Sequence, residues 1–113
     1  MLYRHVELWN ARDKAAWLDA WQRFVPGEPM FEDPVGTPVR RGWDALAAVW
    51  DTAQPSGVSI TIEKLIVCGN EAVALMANEV VIDGAPFVAD SIEVYVFNQD
   101  GSCLSRTYMD PAP

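Results

Sequence analysis

Cysteine, histidine and positive charge are all scarce in this sequence, and each scarcity removes a class of function. Two cysteines, Cys68 and Cys103, among 113 residues are too few for the disulfide framework of a small secreted scaffold. Both stand in apolar, strand-like surroundings, so buried free thiols are expected. His5 is the only histidine, and with no cysteine cluster beside it no zinc-site spacing arises. The acidic pairs Glu32/Asp33 and Asp90/Glu93 follow no metal-loop spacing either. No metal and no cofactor are expected. Eight Lys and Arg against sixteen Asp and Glu leave a net charge of −8. The basic residues are scattered, with Arg40-Arg41 as the one adjacent pair, whereas phosphate backbones and anionic membranes need clustered cations. Nucleic-acid and membrane partners are excluded on that ground. No apolar run approaches the roughly 20 residues that span a bilayer. The start, Met1-Leu2-Tyr3-Arg4-His5, lacks the apolar core of a signal peptide, so a cytoplasmic location is expected.

Apolar mass is abundant. Half of the residues are hydrophobic, including five tryptophans. The length suits one domain over residues 1–113. A domain of this size buries roughly two thirds of the surface its unfolded chain exposes, so it needs no covalent or metal staple.

The periodicity of the apolar residues changes along the chain. Leu2, Val6 and Trp9 recur at helical spacing, predicting a first helix from Met1 to about Arg12. Asp13 is a candidate N-cap for a second helix ending near Phe24, with Trp17, Leu18, Trp21 and Phe24 as its stripe. Pro26-Gly27-Glu28-Pro29 ends helical structure. A short strand is expected over 30–33, a turn at Gly36-Thr37-Pro38, and a third helix over 43–53 that buries Leu46, Val49 and Trp50. Beyond Gly57 the period falls to 2. Strands are predicted over 58–67, 71–82, 87–97 and 103–109, joined by turns at Gly69-Asn70, Asp83-Gly84 and Asn98–Gly101. Pro111-Ala112-Pro113 reads as a tail. Helices followed by an antiparallel meander define an α+β fold. Strand 87–97 is apolar on both faces. Helices can cover one face, and a second subunit is the natural cover for the other.

Three polar residues stand out against this background. Asp33 shares a strand face with Phe31, because residues two apart point the same way. If Phe31 faces inward, Asp33 enters an apolar pocket where its charge is disfavoured and its basicity rises. A surface Asp-Pro turn is the competing reading. Glu93 lies between Ser91 and Tyr95 on one face of an apolar strand. A buried carboxyl there stays protonated and can donate a hydrogen bond; a solvated strand residue is the alternative. Asp90 falls on the opposite face and is expected to be solvated. His5, alone on its helix, is either a structural or surface residue or a third polar group of the site. The tryptophans on the helices pack a core, and rings of that size can also wall a cavity for a flat apolar ligand.

Several segments resemble a known family. Asn10-Ala11-Arg12-Asp13 followed by Trp17-Leu18 and Trp21 looks like the "N-A-G-D" opening of ketosteroid isomerases and their SnoaL-like relatives. Glu32-Asp33-Pro34-Val35-Gly36, then Arg41-Gly42, resembles the steroid-isomerase segment carrying the general base. Ile92-Glu93-Val94-Tyr95-Val96-Phe97-Asn98 is similar to the strand bearing the second acid, and Arg106-Thr107-Tyr108 to the closing strand. The resemblance spans nearly the whole chain. It implies an NTF2-like cone, a curved antiparallel sheet wrapped around three N-terminal helices, usually as a homodimer. It further implies an isomerase that moves a proton on a hydrophobic ketone, with Asp33 as the base and Glu93 in the place of a protonated Asp. The sequence departs from the family at two donors and in one segment. The oxyanion Tyr of the first helix falls on His5, Glu93 is one methylene longer than the usual Asp, and residues 22–29 form an insertion.

Three other functions share the resemblance. A non-catalytic module for a steroid-like or other apolar ligand needs only the pocket. A SnoaL-like polyketide cyclase uses a similar carboxylate to form an enolate. A limonene-type epoxide hydrolase needs an Arg with two Asp residues, and strand 88–97 contains no Arg.

Overall fold

The computed structural model of the protein describes residues 1–110; the tail expected at Pro111–Pro113 lies outside the described residues. Helix α1 runs Leu2–Asn10 and α2 Lys14–Phe24; strand β1 is Pro29–Glu32 and β2 Arg40–Arg41; α3 is Trp43–Ala53, with a 3-10 turn at Gln54–Ser56. Strands β3 (Ser59–Cys68), β4 (Glu71–Ile82), β5 (Ala85–Phe97) and β6 (Cys103–Met109) complete the chain. The expected elements are all present, and β2 is an addition. Two arginines carry no alternating apolar pattern, so only its pairing with β1 reveals that strand.

The Asn10–Asp13 motif makes a corner. Arg12 turns the chain with φ of 60°, a left-handed conformation that a side chain tolerates only when held. Its guanidinium provides the hold, donating to the carbonyls of Val58 and Gly57 and to Gln54. Asn10 exchanges two hydrogen bonds with the backbone of Ile60, at 2.8 and 2.9 Å. Asp13 caps α2 by accepting from the Ala16 N–H, as its position before the helix predicted. The corner thus ties both first helices to the start of β3.

The six strands form one sheet in the order β2-β1-β6-β5-β4-β3. The meander β3–β6 is antiparallel, but β1 runs parallel to β6, from Pro29 opposite Cys103 to Glu32 opposite Arg106. The sheet is therefore mixed rather than wholly antiparallel. The reason lies in the connection: β1 and β6 are joined not by a hairpin but through β2, α3 and β3–β5, a crossover long enough to allow parallel pairing. A register shift between Ile62 and Lys64 bends β3, and the curved, unclosed sheet wraps the three helices. No helix among the described residues is long and apolar enough to cross a membrane.

The core at the closed end is a knot of indoles. Trp9, Trp17 and Trp50 meet pairwise at 5.0 to 5.5 Å between ring centroids, in tilted and edge-on geometries that suit aromatic quadrupoles. Cys103 is buried as expected, but Cys68 is exposed. The last residues of β3 outrun the helical cover, since Ile66 and Val67 are exposed beside it; an apolar strand pattern does not show where the cover ends.

The segment over residues 22–29 is anchored on the β5–β6 turn. Gly27 donates to the Gly101 carbonyl at 2.9 Å, and a Cβ on Gly27 would sit 2.6 Å from backbone atoms of Gly101 and Ser102. This contact lies just ahead of β1 and fixes where that strand begins. Gly27→Ala is expected to lower stability by about 1–3 kcal/mol, read as an earlier urea midpoint with an unchanged slope.

Candidate active site

Small side chains open a hollow in the middle of the sheet. On β4, Ala72 pairs with Tyr95 and Ala74 with Glu93; on β6, Ser105 pairs with Tyr95 and Thr107 with Glu93. Ser105 and Thr107 are short and border the space they leave, with Trp9, Trp17 and Trp21 bordering it from the helices; Ala72 and Ala74 are packed into the core beside it. A cavity of about 780 Å³ remains between sheet and helices, large enough for a drug-sized molecule. Its wall is mainly apolar, with Trp9, Trp17, Trp21, Phe31, Leu46 and Val58 among the lining residues. Asp33, Glu93 and His5 all line it.

Asp33 reaches the cavity through strand alternation. Phe31 is buried and Asp33 half-buried on the inner side. Glu32 turns the other way and accepts from Arg106 Nε at 2.8 Å. That ion pair holds the Glu32 carboxyl below its usual range and pins the strand's outer face. After Asp33 a cis bond leads to Pro34, and the Val35 N–H donates to the Thr107 carbonyl at 2.8 Å. Lost hydration raises the proton affinity of Asp33, with the positive charge of Arg40 opposing it. Arg40 itself lies over the Phe31 ring, 4.7 Å from its centroid.

Glu93 is also half-buried. Burial raises its proton affinity most, and the nearby Asp33 charge raises it further. Two hydrogen bonds pull the other way: the Tyr95 hydroxyl donates to Oε2, and Thr107 Oγ1 donates to Oε1 over a long 3.4 Å. The hollow thus makes each of the two carboxyls a better proton acceptor, and the charge of Asp33 disfavours ionisation of Glu93.

His5 is buried, and the Trp17 Nε1–H donates to its Nδ1 at 3.3 Å. The neutral ring therefore carries its proton on Nε2. Burial, with the N-terminal amine as a lesser cause, lowers its pKa from 6.5 to about 4. The His5 ring lies 4.9 Å from that of Trp21, and Trp21 lies 6.1 Å from Tyr95.

The structure thus brings the three sequence-selected residues to one cavity. It exposes Asp90 at the rim, where the side chain also borders the cavity. Sequence reasoning passed over Tyr95 as a functional group. Its spacing of two from Glu93 placed it on the same face, and that was the available signal. Thr107 was not legible, because it meets Glu93 through strand register alone. Asn78, which donates to Ser91 Oγ at 2.9 Å and to the Ala89 carbonyl, likewise joins the lining only by pairing of strands. Among the described residues no group of three His, Cys, Asp or Glu side chains is placed to hold a metal ion.

Comparison with known proteins agrees with this fold. The model of the SnoaL-like domain family matches residues 2–105. Among solved structures, a protein described as the epoxide hydrolase/cyclase-like enzyme SalBIII, in pyran ring formation in polyether salinomycin, superposes with a TM-score of 0.78 at 18% identity. The match covers 96% of this chain and 87% of that one. A computationally designed 17-OHP binder superposes with a TM-score of 0.71 at 20% identity, covering 94% of this chain and 85% of the other. At these identities the likeness is one of fold. No curated protein matches the chain by sequence.

Two measurements check the electrostatics. A His5 ring that takes its proton near pH 6.5 unfolded and near pH 4 folded contributes about 3 kcal/mol above pH 6.5, lost as pH falls toward 4. Because Asp33 and Glu93 act with the opposite sign, the effect is read as a difference. Urea unfolding of the native chain should weaken more steeply between pH 6.5 and 4 than that of His5→Phe. Tyr95→Phe removes a donor to the ionised Glu93 carboxylate. The Glu93 carboxyl should then titrate at higher pH than in the native chain, as followed by carbon NMR.

Proposed function

The chain belongs to the SnoaL-like domain family and has the NTF2-like α+β cone fold, and we propose that its cavity carries out proton transfer on a hydrophobic ketone, as a steroid delta-isomerase does. The observation that carries this reading is the pairing of Asp33 and Glu93 in one apolar hollow, each with raised proton affinity.

The roles follow from the two environments. Asp33, ionised, removes a proton from the carbon next to the carbonyl. Electrons move through the resulting enolate to the carbonyl oxygen, where charge develops. Glu93, protonated, meets that oxygen as a hydrogen-bond donor. Its Oε2 is occupied by the Tyr95 hydroxyl, while Oε1 has only the long contact from Thr107, so Oε1 is the oxygen that presents the proton. Asp33 then returns its proton to the carbon two bonds further along, and the double bond has moved. His5, neutral through its buried setting, adds an N–H donor to the same cavity. The proton that leaves one carbon is the proton that arrives at the other, so the cycle balances within the substrate and Asp33.

The apolar wall of the cavity suits a steroid-like substrate. Val73, Leu75, Ile92 and Tyr108 remain exposed on the outer face of the sheet, which fits a homodimer covering that face. A second reading, supported by the likeness to a cyclase-like enzyme, keeps Asp33 as the base: the enolate carbon it forms adds to a second carbonyl of the same substrate, the carbon–oxygen π bond of that carbonyl breaks, and its oxygen takes the proton back from Asp33 as the ring closes. A third, supported by the likeness to a designed binder, has the cavity hold its ligand without turnover.

Asp33→Asn keeps the shape of the site and removes the base. With 5-androstene-3,17-dione as substrate, the growth of enone absorbance in the ultraviolet should fall by about 10²- to 10⁴-fold, with an unchanged circular dichroism spectrum. An Asp33→Asn variant as active as the native chain would remove the base assignment. Binding of the steroid with no absorbance change in the native chain would favour the binding module.

A further inference from the structure

Two buried donors in the cavity wall have no partner. Of the three indoles that line the cavity, Trp9 donates its N–H to the Val58 carbonyl at 3.0 Å and Trp17 to His5 Nδ1 at 3.3 Å. Trp21 Nε1 makes no hydrogen bond, and neither does His5 Nε2. Both side chains are more than nine-tenths buried, at 5% and 7% exposure, and both border the cavity. Folded proteins seldom leave such groups unmade, because a donor withdrawn from water without a replacement is destabilising. The two rings adjoin, with centroids 4.9 Å apart. The fixed tautomer makes them alike: an indole N–H and a protonated Nε2 both donate, and neither can accept.

We propose that Trp21 Nε1–H and His5 Nε2–H form an acceptor-oxygen subsite on the helical wall of the cavity, which takes a carbonyl or ether oxygen of an apolar ligand. It stands on α1 and α2, whereas Glu93 stands on β5 and Asp33 at the end of β1. The subsite selects for oxygen that accepts; an amine finds nothing there to receive its hydrogens. Both nitrogens are closed to water in this structure, so a ligand oxygen reaches them when the rings turn toward the cavity they border. The proposal rests on the cavity being a ligand site and does not require Asp33 to be a base.

The test uses two probes of one shape, 2-acetylnaphthalene and 2-isopropenylnaphthalene, in which a carbonyl oxygen is exchanged for a methylene. Calorimetric titration of the native chain should show the ketone bound about threefold to tenfold more tightly, the span of one or two neutral hydrogen bonds. The ratio should fall toward one in Trp21→Phe and in His5→Phe. In the native chain, the Trp21 indole proton should move downfield in NMR spectra with the ketone and not with the alkene, a readout that needs no variant to fold. Equal binding of the two probes, binding of neither, an unmoved indole proton, or a ratio unchanged in both variants would overturn the subsite. Turnover is not read in any arm, so failure of the isomerase reading through Asp33→Asn leaves this result standing, and the reverse also holds.

Discussion

Space left unfilled between a curved sheet and a layer of tryptophan helices is the constraint on which the rest of this molecule depends. Proteins ordinarily close such space, since every absent contact forfeits dispersion energy. Here Ser105 and Thr107, paired with Tyr95 and Glu93 on the cavity wall, are too short to close it. The rings on the helices pack against one another at the far end instead. The result is an apolar chamber in which a charge loses most of its water.

That loss converts ordinary side chains into reactive or selective ones. Asp33 and Glu93 both bind protons more tightly than exposed carboxylates do, from the same cause. The Asp33 charge adds to the effect on Glu93, while the Tyr95 hydroxyl moderates it. His5 responds in the opposite sense, because its charged form is the acid. One chamber therefore holds two carboxyls of raised proton affinity, Asp33 at the end of β1 and Glu93 on β5, and a neutral imidazole on α1. The supports lie outside the chamber: the Glu32–Arg106 ion pair and the Val35–Thr107 backbone bond hold the strand that presents Asp33.

Much of this was legible before any coordinates. Helical spacing of the large apolar residues located α1, α2 and α3, and alternation located β3 through β6, because periodicity follows from backbone geometry alone. Asp13 as a cap and Asp83-Gly84 as a hairpin turn were readable for the same reason: each is a local hydrogen-bonding or dihedral requirement. That Asp33 shares a face with Phe31 followed from their spacing; that this face is the inner one was decided by burial of Phe31. The two-residue strand β2 and the exposure of Cys68 were not readable. Both depend on what lies alongside a strand, not on its own residues.

The sequence by itself determined the α+β class, the order of elements and which side chains share a face, since these are set within a few residues along the chain. Tertiary structure alone decided that β1 runs parallel to β6, that Thr107 stands opposite Glu93, and that Trp17 fixes the proton of His5 on Nε2 while Trp21 is left unpaired. Those facts join residues from 12 to 74 positions apart. Hydrogen bonds and lost hydration act through distances in space, and no local pattern of residues encodes which distant groups will share them.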